Sequence, residues 1–192
     1  MVKKNIGTAV DIYPMPVVIV GTVVNGRPNF MTVAWITKLS PNPSLLGISV
    51  GGGQYSAGGI RETGEFSINF PGVEEMELTD YCGLVHGNIE DKAAQVDIFQ
   101  GSLENAPMVR QCPLNIECRL HQTVQLDNQW FFIGEVANVY ASERILTEDQ
   151  IDLEKFHPFV LTMPSNGYWA LGERIGDPWS VGKNLMQPGR DV

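Results

Sequence analysis

The sequence predicts a mainly β domain with peripheral helices, arranged as a small closed antiparallel barrel whose ends the helices cover. Three observations support this prediction. Short β-branched segments recur with Gly, Pro and Asn turns between them, apolar and polar residues alternate cleanly over Leu114–Leu120, and helical spacing is confined to short stretches. The length of 192 residues and the apolar content of 43% fit one domain over residues 1–192 with a sizeable core.

The first half of the chain is predicted as four strands separated by turn residues: Val17–Val24, Phe30–Leu39, Ser44–Val50 and Glu65–Phe70. Asn25-Gly26 follows the first strand and is the strongest two-residue hairpin signal. After Gly51-Gly52-Gly53, Ser56 is the expected N-cap of a short helix that ends near Thr63.

The second half is predicted as two helical segments, a long hairpin and a last short strand: Val73–Val85, Ile89–Phe99, Leu114–Leu120 paired with Trp130–Ala141, and Phe159–Met163. The first helix opens with an acidic turn, which suits a helix N-terminus. The hairpin turns near Asp127-Asn128, and the Gly- and Pro-rich tail from Pro164 is expected to be an extended arm.

Charge and composition exclude several classes of function. The net charge of −9 and the absence of a basic run argue against a nucleic-acid partner. No apolar run reaches the roughly 18 residues of a membrane span, and Asp11 and two prolines fall where a signal peptide would be apolar, so a cytoplasmic protein is expected. The three cysteines include no C-x-x-C pair, which predicts reduced, packed thiols and no metal site.

No nucleophile elbow, zinc-protease motif, phosphate-binding P-loop or dinucleotide fingerprint occurs in the chain. Three stretches remain as candidates for a site: Gly51-Gly52-Gly53, Asn29–Trp35 and Tyr81–Lys92. The glycines before a helix could let backbone N–H groups approach an anion. Each stretch also has a purely structural interpretation. The glycine run suits a flexible turn, Asn29–Trp35 suits a buried strand, and Tyr81–Lys92 suits a helix end followed by a surface loop.

Together with their surroundings, these stretches resemble the flavin-reductase-like FMN-binding proteins, most closely the flavoredoxin and ferric-reductase branch. The matching segments follow one another over residues 10–176. They are Pro16–Val20, Asn29–Trp35, Ile48–Val50, Gly64–Asn69, Asp80–Gly83, Gly87 with Asp91-Lys92, Cys112–Cys118, Ile133–Val136 and Tyr168–Glu173.

The resemblance implies a split β-barrel, a homodimer, and one non-covalent FMN per subunit near the subunit interface. Trp35 would offer an aromatic surface to the isoalloxazine, the Thr32 hydroxyl and nearby backbone would follow the ring and ribityl chain, and Lys92 would add positive charge. The segment Ser49–Ser56 would approach the phosphate. The FMN-binding residues that the resemblance implies are Asn29, Met31, Thr32, Val33, Ala34, Trp35, Ser49, Val50, Gly51, Gln54, Tyr55, Ser56, Asn69, His86, Gly87 and Lys92.

Two positions depart from the family pattern. The phosphate loop has Gln54 and its neighbours where members often carry a basic residue, and His86 stands where many members have Ser. Losing a fixed cation weakens phosphate binding, and a protonated His86 could replace it in part, which would make the affinity depend on pH.

The expected function is flavin-centred electron transfer with no catalytic side chain, from NAD(P)H or a redox protein to flavin or another acceptor. Two alternatives stay open at this point. One is a flavoredoxin-type electron carrier without a nicotinamide site, and the other is a split barrel that has lost its cofactor and serves for binding. The tail from Pro164 is expected to take part in dimer contacts.

Overall fold

The computed structural model describes residues 1–8 and 14–186. The residues 9–13 and 187–192 of the predicted domain lie outside this part of the chain, as does the end of the predicted arm. The strands are β1 (Met15–Pro16), β2 (Val18–Val24), β3 (Arg27–Val33), β4 (Ile36–Pro41), β5 (Ser44–Gly51), β6 (Glu65–Phe70), β7 (Ile98–Phe99), β8 (Met108–Val109), β9 (Leu114–Leu126), β10 (Gln129–Ala141), β11 (Leu146–Thr147), β12 (Gln150–Ile151), β13 (Phe159–Thr162) and β14 (Gly167–Ala170).

The helices are α1 (Tyr55–Thr63), α2 (Met76–Leu84) and α3 (Leu153–Phe156), with 3-10 turns at Val73–Glu75, Lys92–Gln95, Glu143–Ile145 and Val181–Leu185. No described helix is long and apolar enough to cross a membrane.

One antiparallel sheet of seven strands dominates the molecule, in the order β3-β2-β6-β9-β10-β5-β4. The predicted closed barrel is wrong, because within the described residues the edge strands β3 and β4 are not hydrogen-bonded to each other. The predicted strand Phe30–Leu39 breaks at Ala34-Trp35, where Ile36 N–H donates to the Ala34 carbonyl at 3.1 Å and Ser49 N–H to the Trp35 carbonyl at 2.9 Å. The chain therefore leaves β3 and pairs β4 with β5 instead, which leaves the barrel split.

The main core lies inside the curved sheet and is capped by α1. Phe66, Phe132, Ile48 and Ile60 are completely buried in it. A Cβ on Gly59 would fall 2.5 Å from the Val23 carbonyl oxygen, so this glycine allows α1 to pack directly on β2.

The turns follow the sequence closely. Asn25 (φ 50°) and Gly26 (φ 73°) both adopt the left-handed conformation, as the predicted tight hairpin between β2 and β3 requires. Asp127 (φ 46°) turns β9 into β10. Glycine and Asn tolerate this conformation at little steric cost, which is why these turns can be located from the sequence.

The helix predictions fare less uniformly. The predicted helix Val73–Val85 is a 3-10 turn followed by α2, whereas Ile89–Phe99 contains only a 3-10 turn and β7. Ser56 is not an N-cap: the cap position is Gln54, two residues earlier, and its side chain makes no capping hydrogen bond. The Ser56 hydroxyl is buried instead and accepts a hydrogen bond from Asn29 Nδ2 at 2.6 Å.

The tail begins as part of a small sheet in the order β1-β13-β14. Tyr168 packs edge-on against Phe159, with ring centroids 5.3 Å apart, and its hydroxyl donates to Asp80 of α2 at 2.9 Å. Beyond Ala170 the described chain is exposed, with Ile175 and Trp179 at 100% and 92% accessibility.

Candidate functional site

A cleft of about 230 Å³ opens where β3 and β5 end and where α2 runs into the loop that follows it. Its lining includes eleven residues predicted from the sequence: Met31, Thr32, Val33, Ala34, Trp35, Ser49, Val50, Gly51, Gln54, His86 and Lys92. It also includes four that were not predicted as site residues: Cys82, Gly83, Val85 and Met163. Cys82 and Gly83 lie in a segment that carries the family resemblance, which was the available signal for them. Met163 comes from the far end of the chain, and no local pattern places it here.

The break between β3 and β4 shapes one wall of the cleft. Trp35 sits in this break and keeps 52% of its surface exposed, while its neighbour Val50 on β5 is buried. An exposed indole beside a cleft offers a planar aromatic ligand a face on which to stack.

Helix α2 forms the opposite wall because it packs closely on β3. The Thr32 hydroxyl donates to the Thr79 carbonyl of α2, so its proton is used within the protein. A Cβ on Gly83 would lie 3.3 Å from Thr32 Cβ, tighter than an ordinary contact. The absence of a side chain at Gly83 therefore lets the end of the helix, with Cys82, and His86 in the loop that follows approach the cleft.

Lys92 is the most unusual charged residue of the cleft. Its side chain is only 5% exposed, and its Nζ donates to the Cys82 carbonyl at 2.6 Å. Among the described residues no carboxylate lies within salt-bridge distance of it. Desolvation lowers the Lys92 pKa. A buried ammonium without a counter-charge favours the binding of an anion.

A second groove of about 360 Å³ adjoins the cleft and shares Lys92 with it. Three residues predicted from the sequence line this groove rather than the cleft: Asn29, Tyr55 and Gly87. The Asn29 carboxamide donates a hydrogen bond from Nδ2 to the Ser56 hydroxyl. At the other end of the carboxamide, a Cβ on Gly87 would collide with Asn29 Oδ1. The loop after α2 and strand β3 are thus in direct contact along the groove.

The glycine turn is a weaker anion cradle than its sequence suggests. Gly52 N–H donates to the Asn128 carbonyl at 2.7 Å and Gln54 N–H to the Gly51 carbonyl at 3.0 Å. These two donors are therefore used inside the protein. The glycines instead serve a tight turn against the β9–β10 hairpin.

Asn69 is placed in the protein interior and lines neither the cleft nor the groove. Its Nδ2 donates to the Ile19 carbonyl at 2.8 Å and to Ser67 Oγ at 2.9 Å. Its Oδ1 accepts from Val109 N–H at 3.0 Å and from Asn115 Nδ2 at 2.8 Å. With both ends of the carboxamide satisfied, Asn69 organises the core and has no group left for a ligand.

The three cysteines are free and buried, as predicted. Burial raises the pKa of Cys82 to about 11 and that of Cys118 to about 12, so both are neutral thiols near pH 7. Neither is a nucleophile in that state. Within residues 1–8 and 14–186, no group of three or more His, Cys, Asp and Glu side chains is placed to hold a metal ion.

Comparisons with known proteins agree with this geometry. Residues 10–160 match the family described as flavin reductase like domain. The structure is similar to flavoredoxin from Methanosarcina acetivorans, with 41% identity, a TM-score of 0.94, and coverage of 97% of this chain and 100% of that one. It is also similar to flavoredoxin of Desulfovibrio vulgaris (Miyazaki F), with 32% identity, a TM-score of 0.87, and coverage of 95% and 100%.

A more distant match shows the fold alone. The FMN-binding protein from Thermus thermophilus is 23% identical, with a TM-score of 0.77 and coverage of 93% of this chain and 100% of that one. The split seven-stranded sheet, the cleft at the break between β3 and β4, and the match over residues 10–160 lead to one conclusion: this chain belongs to the flavin-reductase-like family.

Proposed function

We propose that this protein binds one FMN per chain, without a covalent bond, and transfers electrons through it. The observation that supports this most directly is Lys92, a buried cation where the cleft meets the groove that has no carboxylate partner within the described part of the chain. FMN carries an aromatic ring system at one end and a phosphate at the other. A cleft beside Trp35 and a polar groove joined at Lys92 suit these two ends.

The protein's own groups would bind and orient the cofactor. Trp35 would contact the ring, and Met31 and Val50 would contribute apolar surface beside it. The ammonium of Lys92 would attract either the phosphate or the polar edge of the ring. When bound, the flavin itself supplies the exchange of electrons, so no side-chain acid or base is required.

Reconstitution with FMN and FAD tests the choice of cofactor. We expect FMN to bind and to be recovered by acid release and chromatography. Lys92 would attract the single phosphate of FMN, and the sequence contains no dinucleotide fingerprint. Recovery of mainly FAD would contradict this choice. A purified protein that takes up neither flavin would support the cofactor-less alternative.

We propose NAD(P)H as the electron donor, in keeping with the family's description as flavin reductase like. The similarity to two flavoredoxins at 41% and 32% identity favours a second candidate, an electron carrier that takes electrons from a redox protein. In either function we expect a cytoplasmic protein.

Anaerobic reduction of the FMN-loaded protein distinguishes the two donors. NADH, NADPH and a reduced low-potential electron-transfer protein are mixed with it separately, and bleaching of the flavin absorption is followed by stopped flow. Rapid bleaching by a nicotinamide supports the reductase. Rapid bleaching by the redox protein alone supports the carrier.

A further inference from the structure

We propose that Arg27 is the second cation of the site and that it selects the phosphorylated flavin over the unphosphorylated one. This inference rests on the proposed FMN site and assigns its phosphate end to the groove. The family resemblance leads to the expectation of a basic residue at Gln54 or its neighbours, whereas the structure offers a cation on a different element, at the start of β3.

The position of Arg27 follows from the geometry of β3. Alternate residues of a strand point to the same face and lie about 7 Å apart. Arg27, Asn29 and Met31 therefore form a row along one face of β3. Met31 lines the cleft, whereas Asn29 and Arg27 line the groove. A ligand that starts in the cleft and extends past Lys92 is thus directed along β3 towards Arg27.

The floor of the groove consists of polar groups that the fold has already buried. Asn29 is 6% exposed and Lys92 is 5% exposed, and the Ser56 hydroxyl lies behind Asn29. At the rim, the Tyr55 hydroxyl accepts from Asn25 Nδ2 at 3.2 Å and keeps its own proton to donate. Donors and cations that converge in this way match a phosphate, which offers only acceptors near neutral pH.

The charges around the groove leave Arg27 free to bind an anion. Two carboxylates also line it and keep their negative charge, but they are hydrogen-bonded elsewhere: Glu90 accepts from the Tyr81 hydroxyl at 2.9 Å, and Asp91 accepts from Ala93 N–H at 3.1 Å. Among the described residues Arg27 makes no salt bridge. Of the described residues that line the cleft and the groove, the lysine and arginine are Lys92 and the exposed Arg27, and only Arg27 can offer a bidentate fork to a phosphate.

The test compares FMN with riboflavin, which has the same ring and ribityl chain but no phosphate. Both are titrated into the wild-type protein, Arg27→Ala and Arg27→Gln, with binding followed by flavin fluorescence or calorimetry. We expect each substitution to weaken FMN binding by about ten- to a hundredfold, the loss typical of a charge-assisted hydrogen bond, and to change riboflavin binding less than about twofold. Raising the ionic strength should weaken FMN binding to the wild type more than to either variant.

Two other arginines serve as controls. Arg110 is exposed and paired with Asp97 at 3.4 Å, so Arg110→Ala should leave both affinities unchanged. Arg61 stacks on Trp130, whose indole nitrogen borders the glycine turn at Gly52. A loss of FMN selectivity in Arg61→Ala but not in Arg27→Ala would place the phosphate at that turn and overturn the inference.

The remaining outcomes separate this inference from the proposed function. Unchanged FMN affinity in both Arg27 variants, or equal losses for FMN and riboflavin, would overturn the role of Arg27 and leave the flavin site intact. A wild-type protein that binds neither compound would instead refute the proposed function. Thermal unfolding of each variant identifies a loss that results from misfolding.

Discussion

At the scale of single residues, Lys92 is the best-defined candidate for cofactor binding. Its ammonium is buried and donates to the Cys82 carbonyl at 2.6 Å, so its position is fixed before any ligand arrives. We expect Lys92→Ala to weaken FMN binding by about ten- to a hundredfold. Titration with FMN measures the effect. Lys155→Ala, which removes an exposed lysine of α3, is the matched control and should bind FMN as the wild type does.

The same variant reports which end of the flavin Lys92 faces. A cation beside the ring stabilises the negative charge that reduction adds, so its removal should make the flavin harder to reduce. A cation at the phosphate should alter affinity and leave the reduction potential nearly unchanged. Potentiometric titration separates the two cases, and wild-type values for both quantities in Lys92→Ala would remove Lys92 from the site.

The buried thiols give a second prediction at this scale. The thiolate is the reactive form of cysteine, and burial raises the pKa of Cys82 from 9.0 to about 11. We expect iodoacetamide at about pH 8 to modify none of the three cysteines in the native protein and all three after denaturation. Mass spectrometry counts the adducts, and a native protein alkylated at Cys82 would contradict the burial of this thiol.

The raised pKa values also link folding to pH. Between pH 9.0 and about 11, the unfolded chain loses the Cys82 proton while the native protein keeps it. The free energy of unfolding should therefore be insensitive to this group below pH 9 and fall as the pH rises above it. Cys82→Ser should reduce this alkaline loss, as measured by urea unfolding at several pH values.

At the scale of elements, the loop after α2 and strand β3 meet at one glycine. A Cβ at Gly87 would collide with the Asn29 carboxamide, whereas a Cβ at Gly53 would meet nothing within 4 Å. We expect Gly87→Ala to displace Asn29 from Ser56 and to cost about 1–3 kcal/mol of stability. FMN affinity should fall with it. Gly53→Ala is the matched control, and equal behaviour of the two variants would argue against the Asn29–Gly87 contact.

The sequence predicts most of the elements because local chemistry decides them. The β2–β3 and β9–β10 hairpins depend on residues that tolerate positive φ, and the alternating stretch Leu114–Leu120 lies in β9, although the polar Asn115 and Glu117 are buried there as well. The break at Ala34-Trp35 was not predicted because its cause is not local. The Trp35 carbonyl accepts a hydrogen bond from Ser49 N–H, which lies on strand β5.

The predicted site residues that are contiguous in the sequence lie together in the structure, whereas the sequence does not show which distant residues the fold brings to them. The stretch Met31–Trp35 lines the cleft as expected. Asn69 belongs to the core because its partners Val109 and Asn115 are about 40 residues further along the chain. Arg27 was not singled out, since a charged residue beside a hairpin turn is ordinary in a sequence and only the groove gives it a role.

At the scale of the whole molecule, the described arm carries apolar side chains that a single chain does not cover. Five of them are between 48% and 100% exposed: Leu171, Ile175, Trp179, Val181 and Leu185. Several exposed apolar side chains in one segment are typical of protein interfaces. We propose that a second copy of the chain covers the arm, so that the protein is a homodimer.

Light scattering and sedimentation on dilution test the dimer. We expect the wild type to have twice the monomer mass at micromolar concentration and Trp179→Ala to raise the dissociation constant at least about tenfold, as removal of a central aromatic residue commonly does. Ile89→Ala, which truncates a side chain 81% exposed on the loop after α2, should not change the mass. A monomeric wild type would rule out the dimer.

The buried carboxamides of Asn69 and Asn115 bear on the motions of the whole protein. Asn69 Oδ1 accepts from Val109 N–H and Asn115 Nδ2 donates to the Val109 carbonyl, so both backbone groups of Val109 are held by side chains rooted in the central strands β6 and β9. These two hydrogen bonds oppose local opening of the segment around Val109 while those strands remain paired. Its amide hydrogen should therefore exchange with solvent deuterium only when the entire sheet unfolds, at the rate of global unfolding. A short buried strand outside the main sheet would thus record the lifetime of the native state.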